Sequence, residues 1–474
     1  MGRTTIRRGI CSLALAAATA AAGAQPYAVD FVATASDGAA MDPTGNVIAG
    51  TTTLPPACAD CVPTFGVPAL WLRGVRHLLS LPPGAAYISF AGINAQGWVA
   101  GTAMRLDATG GAGYVWVPRA DGSAFDAQPL GSLPGYQDGI AAGIDDQNRV
   151  FGLARTWAVA EAPFVWSDGV GMQDLRTLGY PDEAPAAVSP GGTVATASLT
   201  YRFGDINSVS AVTPPPAGFL GLSFAGTGAV NDAGMRASFL LSTSGTSSGY
   251  RYLSRHTEGL GWQVLGGPVI GSSPRGIGSV DPQGAITGTL GLSGFRAAGP
   301  DGSLAALTGL VSPAYPGAEV TVAGDQGDDG SILAMVVIGR SERLAKLVPV
   351  QACTDHCLRV SSLKVSGRMV SAPGQPGQCV EGARNQVKAG LTVVDETGAP
   401  VRGATVRGRF LDDYFLDAPV TLTTTRRGTA VAKHIGPACV GAVAFLVDSI
   451  EKAGHTHDRS TGVLTGYVIP SPRR

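Results

Sequence analysis

Lysine is nearly missing from this 474-residue chain, with five copies against 29 arginines. Charged residues make up only 15% of the total, and the formal net charge is −1. A protein that grips phosphate backbones or an anionic membrane needs a basic field. Neither nucleic acid nor such a membrane is therefore expected as a partner. Long hydrophobic runs are also lacking. The one marked run, Ile10 to Ala22, falls short of the roughly 20 residues a spanning helix needs. No transmembrane segment is expected. Cysteine is sparse, with seven copies, but its placement is informative.

The short run belongs to a three-part leader. Arg3, Arg7 and Arg8 give a basic start, the apolar run follows, and Ala22-Gly23-Ala24 supplies small residues for cleavage before Gln25. Residues 1–24 read as a signal peptide, and the product as exported, either secreted or periplasmic. Cys11 sits at the head of the apolar run, away from the cleavage site, which argues against a lipoprotein. Six cysteines then remain. An even count in an exported chain points to disulfides, and proximity suggests Cys58–Cys61, Cys353–Cys357 and Cys379–Cys439. An alternative makes Cys58, Cys61, Cys353 and Cys357 a four-thiolate zinc site. A redox-active Cys58–Cys61 pair lacks the βαβ surroundings that such chemistry uses.

What the chain does have is 67 glycines and 32 prolines among 45% hydrophobic residues. That mixture reads as many short strands with many turns, because the apolar content is enough to build cores. A nine-residue phrase recurs. Ile93-Asn94-Ala95-Gln96-Gly97-Trp98-Val99-Ala100-Gly101 is its clearest copy, and Ile144-Asp145-Asp146-Gln147-Asn148-Arg149-Val150-Phe151-Gly152 the next. Others start at Met41, Val188, Val230 and Val280, and a degenerate copy runs through Asp328-Asp329-Gly330. An apolar residue ends one strand. Asn, Asp or Ser caps a turn with its side chain, and a Gly or Asn follows where the backbone needs positive φ. Alternating apolar residues then begin the next strand.

The turn markers fall at Gly45, Gly97, Asn148, Gly192, Gly234, Gly284 and Gly330, at intervals of 42 to 52 residues. Repeats of about 40–50 residues with several strands each are the pattern of propeller blades. Residues 25–350 are therefore expected to form a seven-bladed β-propeller, with six or eight blades and a β-solenoid as rivals. A second phrase supplies the other half of a blade. Pro163-Phe164-Val165-Trp166 leads to Asp174-Leu175-Arg176-Thr177-Leu178-Gly179, Gly113-Tyr114-Val115-Trp116 leads to Leu130-Gly131-Ser132-Leu133, and Ala69-Leu70-Trp71 leads to Leu78-Leu79. It reads as an aromatic strand, a tight turn and a leucine strand. Over residues 36–345 these phrases resemble the extracellular HAF-repeat proteins of bacteria, whose repeat joins an "IN-x-x-G-x-V-x-G" phrase to a "HAF-x-W" strand and a "DLGTLGG" segment. The His-Ala-Phe triplet itself is never complete here. The resemblance implies architecture and export and lends no activity.

After Val350 the pattern changes. Val387–Val394, Gly403–Gly408, Thr421–Thr425, Thr429–Ala432 and Ala442–Val447 read as short strands around the turn at Asp395 to Val401. Residues 351–474 are expected to form an immunoglobulin-like sandwich. Asp395 to Phe410 resembles the "D-x-x-G-x-P-V-x-G-A-x-V-x-G-x-F" phrase of accessory sandwich modules on secreted bacterial hydrolases, which implies binding, spacing or stabilisation.

No catalytic constellation stands out, and no cofactor is expected. Gly245-Thr246-Ser247-Ser248-Gly249 matches a nucleophile elbow, but no helix pattern follows it. Asp325, Asp328 and Asp329 have a spacing that could hold calcium, yet they also form the seventh repeat turn. His455 and His457 would share a strand face and could bind a metal. Trp71, Trp116 and Trp166 read as blade packing, and Trp157 or Tyr180 as candidate sugar platforms. The lead expectation is a non-catalytic exported protein that recognises a protein or glycan through its propeller face. Two alternatives stand beside it: a polysaccharide-acting hydrolase or lyase with carboxylates in the channel, and a structural envelope or matrix component.

Overall fold

The computed structural model describes residues 26–34, 40–54, 64–105, 110–156, 161–221, 228–243, 250–269, 276–291, 293–298, 303–370, 383–412, 417–437 and 441–472. Residues 1–24, expected as a signal peptide, and Cys58, Cys61, Cys379, Cys439, Trp157 and the 245–249 segment lie outside them. The fold is all-β and propeller-like. Seven small antiparallel sheets follow one another between Tyr27 and Pro349. Their innermost strands are Ala40–Met41, Ala85–Ile93, Asp138–Ile144, Ala187–Val188, Ala229–Val230, Gly276–Val280 and Ala318–Gln326. Each touches the innermost strand of the next sheet, and the seventh returns to the first. The seventh sheet takes its outermost strand, Tyr27–Thr34, from the beginning of the chain, paired antiparallel to Ser341–Pro349.

The repeat phrase forms the hairpin between the first two strands of a sheet. All seven marker residues have positive φ, including the non-glycine Asn148 at 60°. The capping side chain accepts the N–H groups that the turn leaves over. Asn94 Oδ1 takes the N–H of Gln96 and Trp98 at 3.1 and 2.9 Å. Asp145, Asn231 and Asp281 do the same in their sheets. Ser189 Oγ takes the N–H of Thr193. In the seventh turn the cap position is Gly327, whose N–H bonds Ser331 O and whose own carbonyl accepts from Gly330. A Cβ there would sit 2.9 Å from Ser331 Oγ and 3.1 Å from the carbonyl of Pro43. The crowding explains why the last copy looks degenerate.

The sheets pack face to face through apolar layers. Trp116 packs with Val47 and Leu70 of the first sheet, Trp166 with Ala100 and Val115 of the second, and Trp71 with Leu333 and Met335 of the seventh. Each tryptophan therefore fills the gap toward the preceding sheet. Trp116 and Trp166 lie opposite Val99 and Val150, two residues past their markers, whereas Trp71 lies opposite Ile48, three past. The first turn holds one extra residue, with the Asp42 N–H bonding Val47 O, not the residue four on. The aromatic has moved one place to keep its face, as a period of two requires. The expected leucine strand is cut short. Gly171–Asp174 is a strand, but Leu175–Leu178 is a 3-10 turn because Asp174 caps it by accepting the Arg176 N–H.

Two further sheets lie between Cys357 and Pro472. One orders Thr429–Pro437, Arg384–Val394, Cys357–Val370 and Thr456–His457. The other orders Asp417–Thr423, Thr405–Asp412, Val443–Glu451 and Thr465–Val468. Val360, Ala389 and Leu391 of the first share one core with Phe410, Phe445 and Val447 of the second. That core runs on into the seventh small sheet through Tyr27, Val29, Val336 and Leu347. Polar contacts pin the junction. Arg459 pairs with Asp30 and donates to Tyr315 Oη at 3.1 Å. Ser312 Oγ donates to the carbonyls of Arg459 and Ser460, and the Leu464 N–H to Ala314 O.

Candidate functional site

The ring of inner strands encloses a cavity of about 1420 Å³, lined from all seven sheets. Glycine lets the strands approach closely. A Cβ on Gly143 would lie 2.8 Å from Val188 Cβ, and one on Gly278 only 2.1 Å from the carbonyl oxygen of Gly324. Bulges fall beside these glycines, between Ala141 and Gly143 and between Ile277 and Ser279. They re-aim the strand ends.

One repeat position builds the rim. The residue after the cap is Pro43, Ala95, Asp146, Pro190, Asp232, Pro282 or Asp328, and all seven line the cavity. Carboxylates thus enter from the third, fifth and seventh sheets. Asp146 Oδ1 accepts the Ala95 N–H at 2.8 Å, and Asp232 Oδ1 the Gly191 N–H at 2.6 Å. Each ties its own sheet to the preceding turn. Burial pushes the Asp146 carboxyl above its usual range. The negative charges of Asp232, Asp145 and Asp328 push the same way, against the Ala95 hydrogen bond. Asp146 thus feels the other two carboxylates of the rim.

Deeper in, Asp325 stands two places before the cap, where other sheets carry Ala40, Gly92, Gly143, Ala187, Ala229 and Ser279. Its Oδ2 accepts the Met41 N–H at 2.9 Å, and burial raises its carboxyl to about 6. Glu183 lies in the wall with its oxygens occupied by Thr196 Oγ1, Ser198 N–H and Ser198 Oγ. Its carboxyl is lowered by those bonds and by Arg236, in the face of a larger opposing effect from burial. Among the described residues the lining holds eight carboxylates (Asp146, Glu161, Glu183, Asp232, Asp281, Asp325, Asp328 and Asp329) against two guanidiniums, Arg155 and Arg296. Arg155 is paired with Glu161 at 2.8 Å, and Arg296 approaches Asp281 at 3.9 Å. A chain of net charge −1 has gathered its negative charge on this wall. Among the described residues the only aromatic ring on it is Phe90, which is edge-packed against Trp116.

The three aspartates considered for calcium do not converge. Asp325 serves Met41, Asp329 takes the Ser331 N–H and sits 3.5 Å from Lys346 Nζ, and Asp328 faces the opening. Cys353 and Cys357 are joined in a disulfide, so they are not thiolates for zinc. His455 and His457 do not act as a pair. His457 turns inward, with Nε2 buried, while its neighbour stays near the surface. Tyr180 is not a free platform. It stacks on Phe203 at 5.0 Å, and its hydroxyl accepts the Gly204 N–H. The acidic rim was legible in principle from the residue following each cap, read down the repeats. Asp325 was visible as the odd member of a column of small residues.

No family model matches the chain, and no curated protein matches it. Among solved structures, an acylaminoacyl peptidase from Pyrococcus horikoshii is similar at 10% identity and a TM-score of 0.32. The match covers 75% of this chain but only half of that one. An exo-beta-1,3-galactanase from Phanerochaete chrysosporium is similar at 9% identity and a TM-score of 0.30, covering 90% of this chain and 99% of that one. AofleA from Arthrobotrys oligospora is similar at 11% identity and a TM-score of 0.29, covering 69% and 88%.

Proposed function

We propose that the protein is an exported binding protein, a seven-bladed propeller with an immunoglobulin-like module, whose channel mouth captures a positively charged segment of another protein. The observation that carries this reading is the charge of the lining, eight carboxylates to two paired guanidiniums. Such a wall repels anionic ligands and draws in cationic ones. The volume exceeds the roughly 300–1,000 Å³ of small-molecule pockets and suits an extended peptide. A glycan would want an exposed ring to stack on, and among the described residues the one ring in the lining is already packed. The Cys353–Cys357 disulfide supports an oxidising compartment, as does the leader.

The mature chain should bind lysine- or arginine-rich peptides more weakly as salt rises, and the triple substitution Asp146→Asn, Asp232→Asn and Asp328→Asn should weaken binding further. Asn keeps the acceptor oxygen that the turns use, so the fold is spared. Binding that ignores both salt and the substitutions would overturn the proposal. A second reading rests on Asp325 and Glu183, two wall carboxyls whose environments push them apart, the pattern of an acid and a base. It predicts release of reducing ends from a neutral polysaccharide, abolished by Asp325→Asn.

A further inference from the structure

We propose that Asp355, His356, Glu396 and His455 form a zinc site on the sandwich, apart from the residues that line the channel. The donor atoms of Asp355, His356 and Glu396 all lie within 4.8 Å of one another. Tetrahedral zinc with bonds of about 2.1 Å sets its donors roughly 3.4 Å apart, so small rotations of exposed side chains close the gap. His356 Nε2 and Asp355 Oδ2 already stand 3.6 Å apart.

The scaffold holds these groups in place. Asp355 and His356 sit in the five-residue loop closed by the Cys353–Cys357 disulfide. His356 adopts a φ of 50°, in the left-handed region that few non-glycine residues enter. Glu396 is anchored to the same loop by accepting the Cys357 N–H through Oε2 at 3.1 Å. The fourth ligand, which lies outside that 4.8 Å group, comes from the far end of the chain. Cys357 pairs in parallel with Thr456, and the Thr456 N–H bonds His356 O at 2.9 Å. The preceding rung therefore sets His455 beside His356, with their rings 5.9 Å apart.

His455 Nδ1 lies 3.0 Å from the carbonyl oxygen of Ala453. A carbonyl can only accept, so this contact assigns the proton to Nδ1 and leaves Nε2 with a free lone pair. Metal-binding histidines are held in the same way, by a second-shell carbonyl on the other nitrogen. Two imidazoles with carboxylates suit zinc better than calcium or magnesium, which prefer all-oxygen sets. The site is exposed, which leaves room for water as an additional ligand.

The test is titration of the purified, disulfide-intact chain with zinc chloride by calorimetry, with cobalt(II) absorption as a second readout. The expected result is one zinc per chain and tetrahedral cobalt bands in the visible region. His356→Asn, in which Asn tolerates the positive φ, and His455→Ala should each weaken binding by about tenfold or more, with unchanged melting temperatures in metal-free buffer. No saturable binding would overturn the proposal. Saturable binding that survives both substitutions would also overturn it, by placing the metal elsewhere.

Discussion

Acidification should act on two buried groups of this molecule in opposite directions. Burial drags the His457 imidazole down to about 4, from about 6.5 in an unfolded chain. Between those values the unfolded state binds the proton and the folded state does not, so His457 costs stability as pH falls from 6.5 to 4. A shift of about 2.5 units at roughly 1.4 kcal/mol each amounts to about 3 kcal/mol. Asp325 acts in reverse. Its carboxyl is raised to about 6, against about 3.9 unfolded, so the folded state binds the proton first and gains stability over nearly the same window. That gain is also about 3 kcal/mol. The two contributions nearly cancel in the parent chain. They separate in single variants measured by urea unfolding at pH 4, 5, 6 and 7. Relative to the parent, His457→Phe should become more stable by about 3 kcal/mol on going from pH 7 to 4, and Asp325→Asn less stable by a similar amount. Variant-minus-parent differences that do not change with pH would refute the burial argument for both groups.

Three further outcomes are expected. Asn94→Ala removes the turn cap and the Nδ2 bonds to Asp145 O and Asn148 Oδ1, and should cost about 2–3 kcal/mol in denaturant unfolding; Asn94→Asp keeps the cap and should cost less. Gly278→Ala drives a Cβ into the backbone of the seventh sheet and should lower the melting temperature more than Gly390→Ala, where nothing lies within 4 Å. Arg236, buried among Thr196 O, Leu199 O and Thr200 Oγ1, should cost about 3 kcal/mol as Arg236→Ala, since Thr196 O and Thr200 Oγ1 lose a buried donor and the side chain leaves a cavity.

The repeat was easy to read because its logic is local. A cap, two residues and a positive φ are settled within one turn, so all seven marker positions could be named from the sequence. What joins one repeat to the next was harder to see. Asn94 Nδ2 reaches Asp145 O, the Asp146 N–H reaches Pro190 O, and Asn231 Nδ2 reaches Asp281 O. Those bonds link residues some 50 places apart and have no signature inside a single copy. Gly143 and Gly278 were hidden for the same reason, since what they avoid belongs to the neighbouring sheet. In the sandwich the longest strand, Cys357–Val370, went unread. A bulge between Val360 and Ser362 shifts its register, and Leu358 and Val360 fall out of phase with Leu363 and Val365. Of the proposed zinc ligands the sequence singled out His455 alone, and paired it with His457; only the parallel pairing of Cys357 with Thr456 makes it a neighbour of His356.

The seam where Tyr27–Thr34 joins Ser341–Pro349 also says something about time. A ribosome releases the first of these segments some three hundred residues before the second. Until then the seventh sheet lacks its outer edge, and the segment that will complete it has nothing to pair with. Pairings of such high contact order form late and slowly, so the six sheets between them can assemble neighbour by neighbour while the circle stays open. The clasp of Arg459 on Asp30 and Tyr315 is made later still, by residues near the end of the chain. The sandwich thus locks a closure that only a nearly finished chain can make.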